Sequence, residues 1–286
     1  MFADVRTTKR ERSKRLIRAL MPIALRKRVA LVIQRQPWIS APRRRWWSVE
    51  LVRDLAENDL DAFHRFLWAN HLGYADTYEV AQRFGPDNMR ESRRMFFADL
   101  RAHLGEQAAR IRSVLEVGCS LGYQLRHLET EVFPSATELE GIDIDEHAIA
   151  AGAAYLRAVG SKVSVKTADI DDVEGIAGRK RYDLVICTGV LMYLNEERAA
   201  RAVVHLLRRT KGMLALAGLA HPTTDNGRLD RSEMRDRDMT FIHNLDRMIT
   251  EAGGRIVWRQ WEGSRIVDGN TIYFLFARPD QVAGAD

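Results

Sequence analysis

The stretch Val114-Leu115-Glu116-Val117-Gly118-Cys119-Ser120-Leu121-Gly122-Tyr123 sets an acidic residue, two spaced glycines and small side chains between an apolar run and a helix start. Gly118 and Gly122 let a ligand come close to the backbone. Asp143 closes the next β-rich run, 21 residues beyond Gly122, the spacing at which a carboxylate accepts hydrogen bonds from a ribose diol. Asp169 closes the third run, where a carboxylate can accept from the amino group of an adenine. Either aspartate alone reads equally well as a cap for the helix that follows. Three such features at successive strand ends point to a nucleoside-bearing ligand. A dinucleotide fingerprint starting at Gly118 fails, because Ser120 and Tyr123 stand where small glycine-type residues are required. A phosphate loop of the G-x-x-x-x-G-K-[ST] kind fails as well, since no Lys-Ser or Lys-Thr follows.

These residues need strand ends to hold them, and from Ser113 onward the pattern supplies them. β-rich runs fall at Ser113–Val117, Leu139–Ile144, Lys162–Thr167, Tyr182–Cys187, Met213–Leu219, Arg255–Trp261 and Thr271–Ala277. Helical stretches intervene near Gln124–Glu131, Glu146–Val159, Glu196–Arg209 and Phe241–Glu251. Such alternation predicts an α/β doubly wound, mostly parallel sheet covered on both faces. The last two strands are separated only by Glu262 to Asn270, too short for a parallel crossover, so they must form an antiparallel hairpin. Upstream, Val49, Leu51, Val52, Leu55, Leu60, Phe63, Phe66 and Leu67 recur at helical spacing, and a further helix is expected near Ser92–Leu104.

On these motifs the chain resembles the class I S-adenosylmethionine-dependent methyltransferases over about residues 110–280. The first motif of that family matches Glu116, Gly118 and Gly122, with Cys119 inside the turn and Ser120 in place of its middle glycine. The ribose acid falls on Asp143 with Ile144 beside it, and the adenine-contacting acid on Asp169 with Ile170 next to the ring. The fourth-strand motif matches Tyr182 through Leu194, with Thr188 at the strand end. The resemblance implies S-adenosyl-L-methionine as cofactor, a strand order 3-2-1-4-5-7-6, and direct displacement at the activated methyl group. Thr188-Gly189-Val190-Leu191 lacks the Asn or Asp, prolines and aromatic of base-amino methyltransferases, so a nucleic-acid substrate is disfavoured. It also lacks the strand-four acid of the metal-dependent catechol type, so no metal is expected and Asp225-Asn226 reads as a turn. The motif resembles that of small-molecule methyltransferases.

In related enzymes N-terminal helices cover the site, which makes His71, Tyr74 and Tyr78 candidates for the acceptor pocket, with Tyr193 and Tyr123 as walls; ordinary helix packing is the competing reading. After the fifth strand, His221 through Asn244 is long and dense in Arg, Asp and His. His243 is the candidate general base, since imidazole titrates near neutrality, with His221 as the alternative and a structural hydrogen bond as the competing role. Cys119 and Cys187 are the only cysteines, which excludes a disulfide scaffold and a multi-thiolate zinc site.

The net charge of +5 conceals an asymmetry. Residues 1–47 carry 14 Lys or Arg against Asp4 and Glu11, a net of +12, which leaves the remaining residues at −7. Pro22, Pro37 and Pro42 break this arm, and Arg26-Lys27-Arg28 and Arg43-Arg44-Arg45-Trp46-Trp47 give it cations beside aliphatic and aromatic residues. That composition suits peripheral contact with an anionic membrane surface; packing on the body of the protein and a solvated tail are the alternatives. The sequence thus divides into a basic arm (1–47), a helical lid or substrate segment (48–110), the methyltransferase-like domain (111–280) and a tail (281–286). No apolar run reaches the ~18–20 residues that span a bilayer, and two cysteines without a secretory signal suggest a cytoplasmic chain. The reading is a methyltransferase acting on a small-molecule, glycan or lipid-linked acceptor. The alternative is a non-catalytic relative that binds the nucleoside or a protein partner.

Overall fold

The structure, a computed structural model, describes residues 20–72, 80–173, 175, 180–235 and 238–280. The chain divides between residues 77 and 78 into two units. The helical segment expected over 48–110 is therefore shared between them.

In the first unit, α1 (Ile23–Gln34), α2 (Ala41–Val52) and α3 (Leu60–Ala69) are delimited by the residues that suit helix starts. Pro22 precedes α1, a proline lies in the first turn of α2, and Asp59 accepts from the Ala62 amide at the start of α3. Ala30 and Ser48 are fully buried, and the Ser48 hydroxyl donates to the Ala30 carbonyl across 3.1 Å, so α1 and α2 meet through small side chains. The buried Arg26 guanidinium grips both oxygens of Asp54 at 2.5 and 2.6 Å.

In the second unit, α4 (Glu91–Leu104) precedes a seven-stranded sheet. Its parallel strands are β1 (Ser113–Val117), β2 (Glu138–Asp143), β3 (Val163–Thr167), β4 (Tyr182–Thr188) and β5 (Thr210–Gly218), in spatial order β3-β2-β1-β4-β5. The crossovers run through α5 (Tyr123–His127, continued by a π turn over Leu128–Val132), α6 (Glu146–Ala158) and α7 (Glu196–Arg208). Asp145 caps α6 and Asn195 caps α7, each accepting an amide of the first turn. One face of α7 buries Ala199, Ala202, Val203, Leu206 and Leu207 against the sheet. Both faces of the sheet are covered by apolar clusters, which is why its central strands read as unbroken hydrophobic runs rather than alternating ones.

Three features differ from the sequence reading. After β5 the chain forms a small ribbon, β6 (Glu233–Arg235) against β7 (Thr240–Ile242), so that α8 (Leu245–Glu251) begins four residues later than Phe241. Asn244 caps α8, and an apolar pair, Phe241 and Ile242, is equally compatible with a strand. The two last strands, β8 (Gly254–Val267) and β9 (Asn270–Pro279), are longer than expected and pair antiparallel with β9 beside β5, completing the anticipated order. Their connection is the two-residue turn Asp268-Gly269, with φ of 53° and 81°, rather than a loop from Glu262. Asp-Gly is a strong hairpin signal, and the pairing extends down to it because such a turn matches the twist of the strands.

Candidate active site

The glycine-bearing turn lies at the carboxyl end of β1, between β2 and β4. Gly118, Ser120 and Gly122 all take positive φ, at 83°, 51° and 78°. Ser120 therefore keeps the left-handed shape that a middle glycine would supply, at a steric cost of ~1 kcal/mol. The turn is pinned from both sides. The Gly118 and Cys119 amides donate to the Ile142 carbonyl, and a Cβ on Gly118 would come within 2.0 Å of Val190.

Asp143 sits at the end of β2 with both oxygens committed to backbone: Oδ2 accepts from the Ser120 amide at 2.8 Å and Oδ1 from the Asp145 amide at 2.9 Å. The cap of α6 is Asp145, so Asp143 is spared that duty. Burial raises the Asp143 carboxyl above its usual range, against the pull of those amides. Asp169 does cap its own turn, accepting from the Asp171 amide at 3.1 Å, and Arg198 lies 3.4 Å from the same oxygen. Ile170 is buried in the core under this turn and Ile144 is half-buried.

Beneath the turn, Glu116 is completely buried, and neither of its carboxylate oxygens meets a hydrogen-bond partner. Burial pushes its pKa up to about 8; Arg93 and the approach of the Leu125 amide, which falls short of full hydrogen-bond geometry, oppose the rise, and the Asp143 charge adds to it. Gln124 is buried alongside; its amide nitrogen lies 3.5 Å from the Thr188 hydroxyl and its carbonyl oxygen is unpartnered. Arg93, from α4, reaches the Thr188 carbonyl at 3.4 Å. Arg83 stacks its guanidinium on the Tyr123 ring at 4.0 Å. Gln124, Arg93 and Arg83 are residues that spacing did not single out. Arg93 and Arg83 belong to segments far along the chain, and Gln124 carries no motif.

The two cysteines turn into the core. Cys119 packs against Gly141, and burial raises both thiols well above their ordinary range, so neither is a ready nucleophile. Among the described residues no group of three or more His, Cys, Asp or Glu is placed to hold a metal.

Tyr193 is half-buried in the turn after β4. His71 is half-buried in the first unit, and Tyr74 and Tyr78 lie outside the described residues. His243 is buried with both ring nitrogens engaged: Nε2 donates to the Leu191 carbonyl at 2.9 Å, and Nδ1 accepts from the Ser232 hydroxyl at 2.7 Å. Burial lowers its pKa, which agrees with a neutral imidazole. Nδ1 of His221 accepts from the Thr224 amide at 2.9 Å, turned into its own loop, and Nε2 lies 3.4 Å from Glu233. Asn226 is the buried hub of this connection. Its oxygen accepts from the His221 amide and the Trp261 indole, while its nitrogen donates to the Leu219 and His243 carbonyls.

Residues 114–212 match the family model described as a methyltransferase domain. No curated protein matches the chain. Among solved structures, the chain is similar to 1,6-didemethyltoxoflavin-N1-methyltransferase from Burkholderia thailandensis (TM-score 0.51, 17% identity, covering 66% of this chain and 79% of that one). It is similar to the same degree to the 4+2 cyclase SpnF (TM-score 0.50, 18% identity, covering 65% and 80%). A magnesium protoporphyrin IX methyltransferase from Synechocystis aligns over more of the chain (80% and 99%) with a TM-score of 0.49 and 17% identity. The matched residues carry the left-handed turn after β1 and all of β2, β3 and β4, so the part of the chain that matches a methyltransferase domain is the part that builds the site, on a sheet whose order the similar structures share as a fold.

Proposed function

We propose that the protein transfers a methyl group to a small-molecule acceptor, lipid-linked and glycan acceptors included, at the carboxyl ends of β1, β4 and β5. The observation that carries this reading is the Glu116 carboxylate, wholly buried and without a partner under the positive-φ turn, with the unpartnered Gln124 oxygen beside it. Buried polar groups left unpaired are costly, and a carboxyl with both oxygens unpaired is the costliest of them here. A cationic ligand seated on the turn would relieve both. The residues present therefore fit S-adenosyl-L-methionine, which when bound supplies an electrophilic methyl group on a sulfonium.

In this arrangement Asp143 would accept from ribose hydroxyls, and Asp169 and Ile170 would bound the base. Gly118, Cys119, Ser120, Gly122, Ile144 and Thr188 would contribute backbone or wall. Glu116 would balance positive charge. Tyr193 and the loop after β5 would face the acceptor. The fold similarity to a methyltransferase of a small heterocycle supports that acceptor class.

The hydrogen bonds of His243 favour a positioning role, in which it ties the Leu191 turn to the β6 segment. The chain's contribution to transfer is then alignment and exclusion of water rather than proton abstraction by this residue. The equal similarity to a cyclase shows that the fold carries more than one chemistry, so a binding-only relative is the second reading.

Calorimetric titration with S-adenosylmethionine and S-adenosylhomocysteine tests the proposal. Micromolar binding that Asp143→Ala weakens at least tenfold supports it. Absence of binding to correctly folded wild type overturns it.

A further inference from the structure

The first unit buries Val52, Phe63, Leu67 and Leu72, yet α1 turns apolar side chains outward. On α1 the residues turned inward are Arg26, 4% exposed, and Ala30, fully buried, while Leu25 and Val32 are 48% and 58% exposed. At 100° per residue Leu25, Arg28, Val32 and Arg35 share an arc of roughly 80°, and all four are exposed. Leu20 and Trp38, 72% and 78% exposed, lie just beyond the two ends of the helix, and Trp47 on α2 is 40% exposed. Five of the eight large hydrophobic side chains exposed among the described residues thus belong to residues 20–47. A helix that faced only water would reverse this arrangement.

The charge on the same segment says what covers the face. Residues 20–47 hold seven Lys or Arg and no Asp or Glu, and Arg28, Arg35 and Arg43 are exposed. A second copy would bring the same positive charge against it. A nucleic acid would use the cations and stack bases on the tryptophans but leave Leu20, Leu25 and Val32 without a partner, and a highly acidic protein surface would do the same. A bilayer interface takes both, the apolar groups entering the acyl boundary while the arginines hold anionic headgroups.

We propose that the exposed face of α1, flanked by Leu20 and Trp38, binds the surface of an anionic lipid bilayer. No described helix is long and apolar enough to cross a membrane, so the contact is peripheral. The inference gives residues to the surface contact that the basic arm suggests and does not depend on the catalytic reading.

The test is co-sedimentation of the full chain with vesicles of phosphatidylcholine alone and with 30 mol% phosphatidylglycerol. Wild type should bind the anionic vesicles and not the neutral ones. Leu25→Ser with Val32→Ser, and separately Trp38→Ala, should each weaken that binding several-fold; Arg28→Gln with Arg35→Gln should weaken it about 25-fold at low salt, roughly fivefold per charge. All these positions are exposed, and matching thermal melts would confirm intact variants. Cofactor titration of the same variants should be unchanged, which separates this result from failure of the methyltransferase reading. The proposal is overturned if anionic vesicles are not bound. It is equally overturned if the apolar variants bind like wild type, which would leave simple charge adsorption. A vesicle-independent dimer abolished by Leu25→Ser with Val32→Ser would assign the face to a second copy instead.

Discussion

The backbone amide of Ser120 donates to Oδ2 of Asp143 across 2.8 Å, tying the turn after β1 to the end of β2. The carboxylate is thereby aimed and the turn is held in its left-handed shape. Asp143→Ala should cost stability of ~1–3 kcal/mol, because two backbone amides lose their acceptor. Asp143→Asn should retain one of these bonds and fall between. Thermal melts of the apoprotein give the ranking, and cofactor affinity should follow the same order.

Glu116 makes stability and cofactor affinity depend on pH in opposite directions. Its pKa is about 8 in the fold, raised by burial, against ~4.3 in an unfolded chain. The folded protein holds the proton over this window while the unfolded chain does not. This contribution to stability is therefore fully present below the unfolded value and is lost as pH rises toward 8. Glu116→Gln should flatten that loss and stabilise the apoprotein at pH 7 by on the order of 3 kcal/mol. The same variant should bind S-adenosylmethionine more weakly, since the neutral amide cannot balance positive charge. Wild-type binding should tighten between pH 6 and 8 with release of a proton, measurable by calorimetry in buffers of different ionisation heat.

Gly118 and Val190 form a contact that a methyl group would break. A Cβ at position 118 would lie 2.0 Å from the Val190 Cγ2 atom, and the φ of 83° disfavours any side chain. Gly118→Ala should reduce stability by more than ~1 kcal/mol and abolish cofactor binding. Adding Val190→Ala should recover part of the stability but not the cost in backbone conformation. A double-mutant cycle on unfolding free energies checks this; strict additivity would show that Val190 is not the obstacle.

Ser120 offers a contrast at the same turn. With φ at 51° it bears a cost that glycine would not, yet glycine also gains freedom in the unfolded chain. Ser120→Gly should change stability by less than about 1 kcal/mol and leave cofactor affinity intact. Ser120→Val should lower the melting temperature, because a β-branched residue tolerates this region poorly.

His243 distinguishes positioning from proton transfer. Its pKa is lowered by burial, so the folded protein resists a proton that the unfolded chain accepts. This contribution to stability is present above about pH 6.5 and is lost as pH falls through and below that value. Removing the imidazole should lower the melting temperature more at pH 8 than at pH 5, where the wild type has already lost this contribution, and His243→Gln, which can offer both a donor and an acceptor, should retain most transfer activity. Loss of an entire limb of the pH–rate profile in His243→Gln would instead identify a general base.

The doubly wound sheet and the two aspartates at strand ends were legible because they are local, whereas the strand order came only from the family resemblance. Hydrophobic runs of fixed period announce strands, and a parallel order places their carboxyl ends together wherever the loops go. Periodicity is silent about loops, so the β6–β7 ribbon emerged only from the pairing of segments, whereas the turn at Asp268-Gly269 carried its own Asp-Gly signal, which the period of the flanking strands did not extend to. Sequence alone also marked Glu116, Asp143 and Asp169 as a set, since each terminates or lines its own strand. Only the tertiary structure showed that Asp145, not Asp143, caps α6, that both nitrogens of His243 are already bonded, and that Arg93 and Gln124 close around Thr188. Those roles depend on which groups from distant segments share a desolvated space. Hydrogen bonding and burial there reshape a side chain's charge and reach in ways that spacing along the chain does not encode.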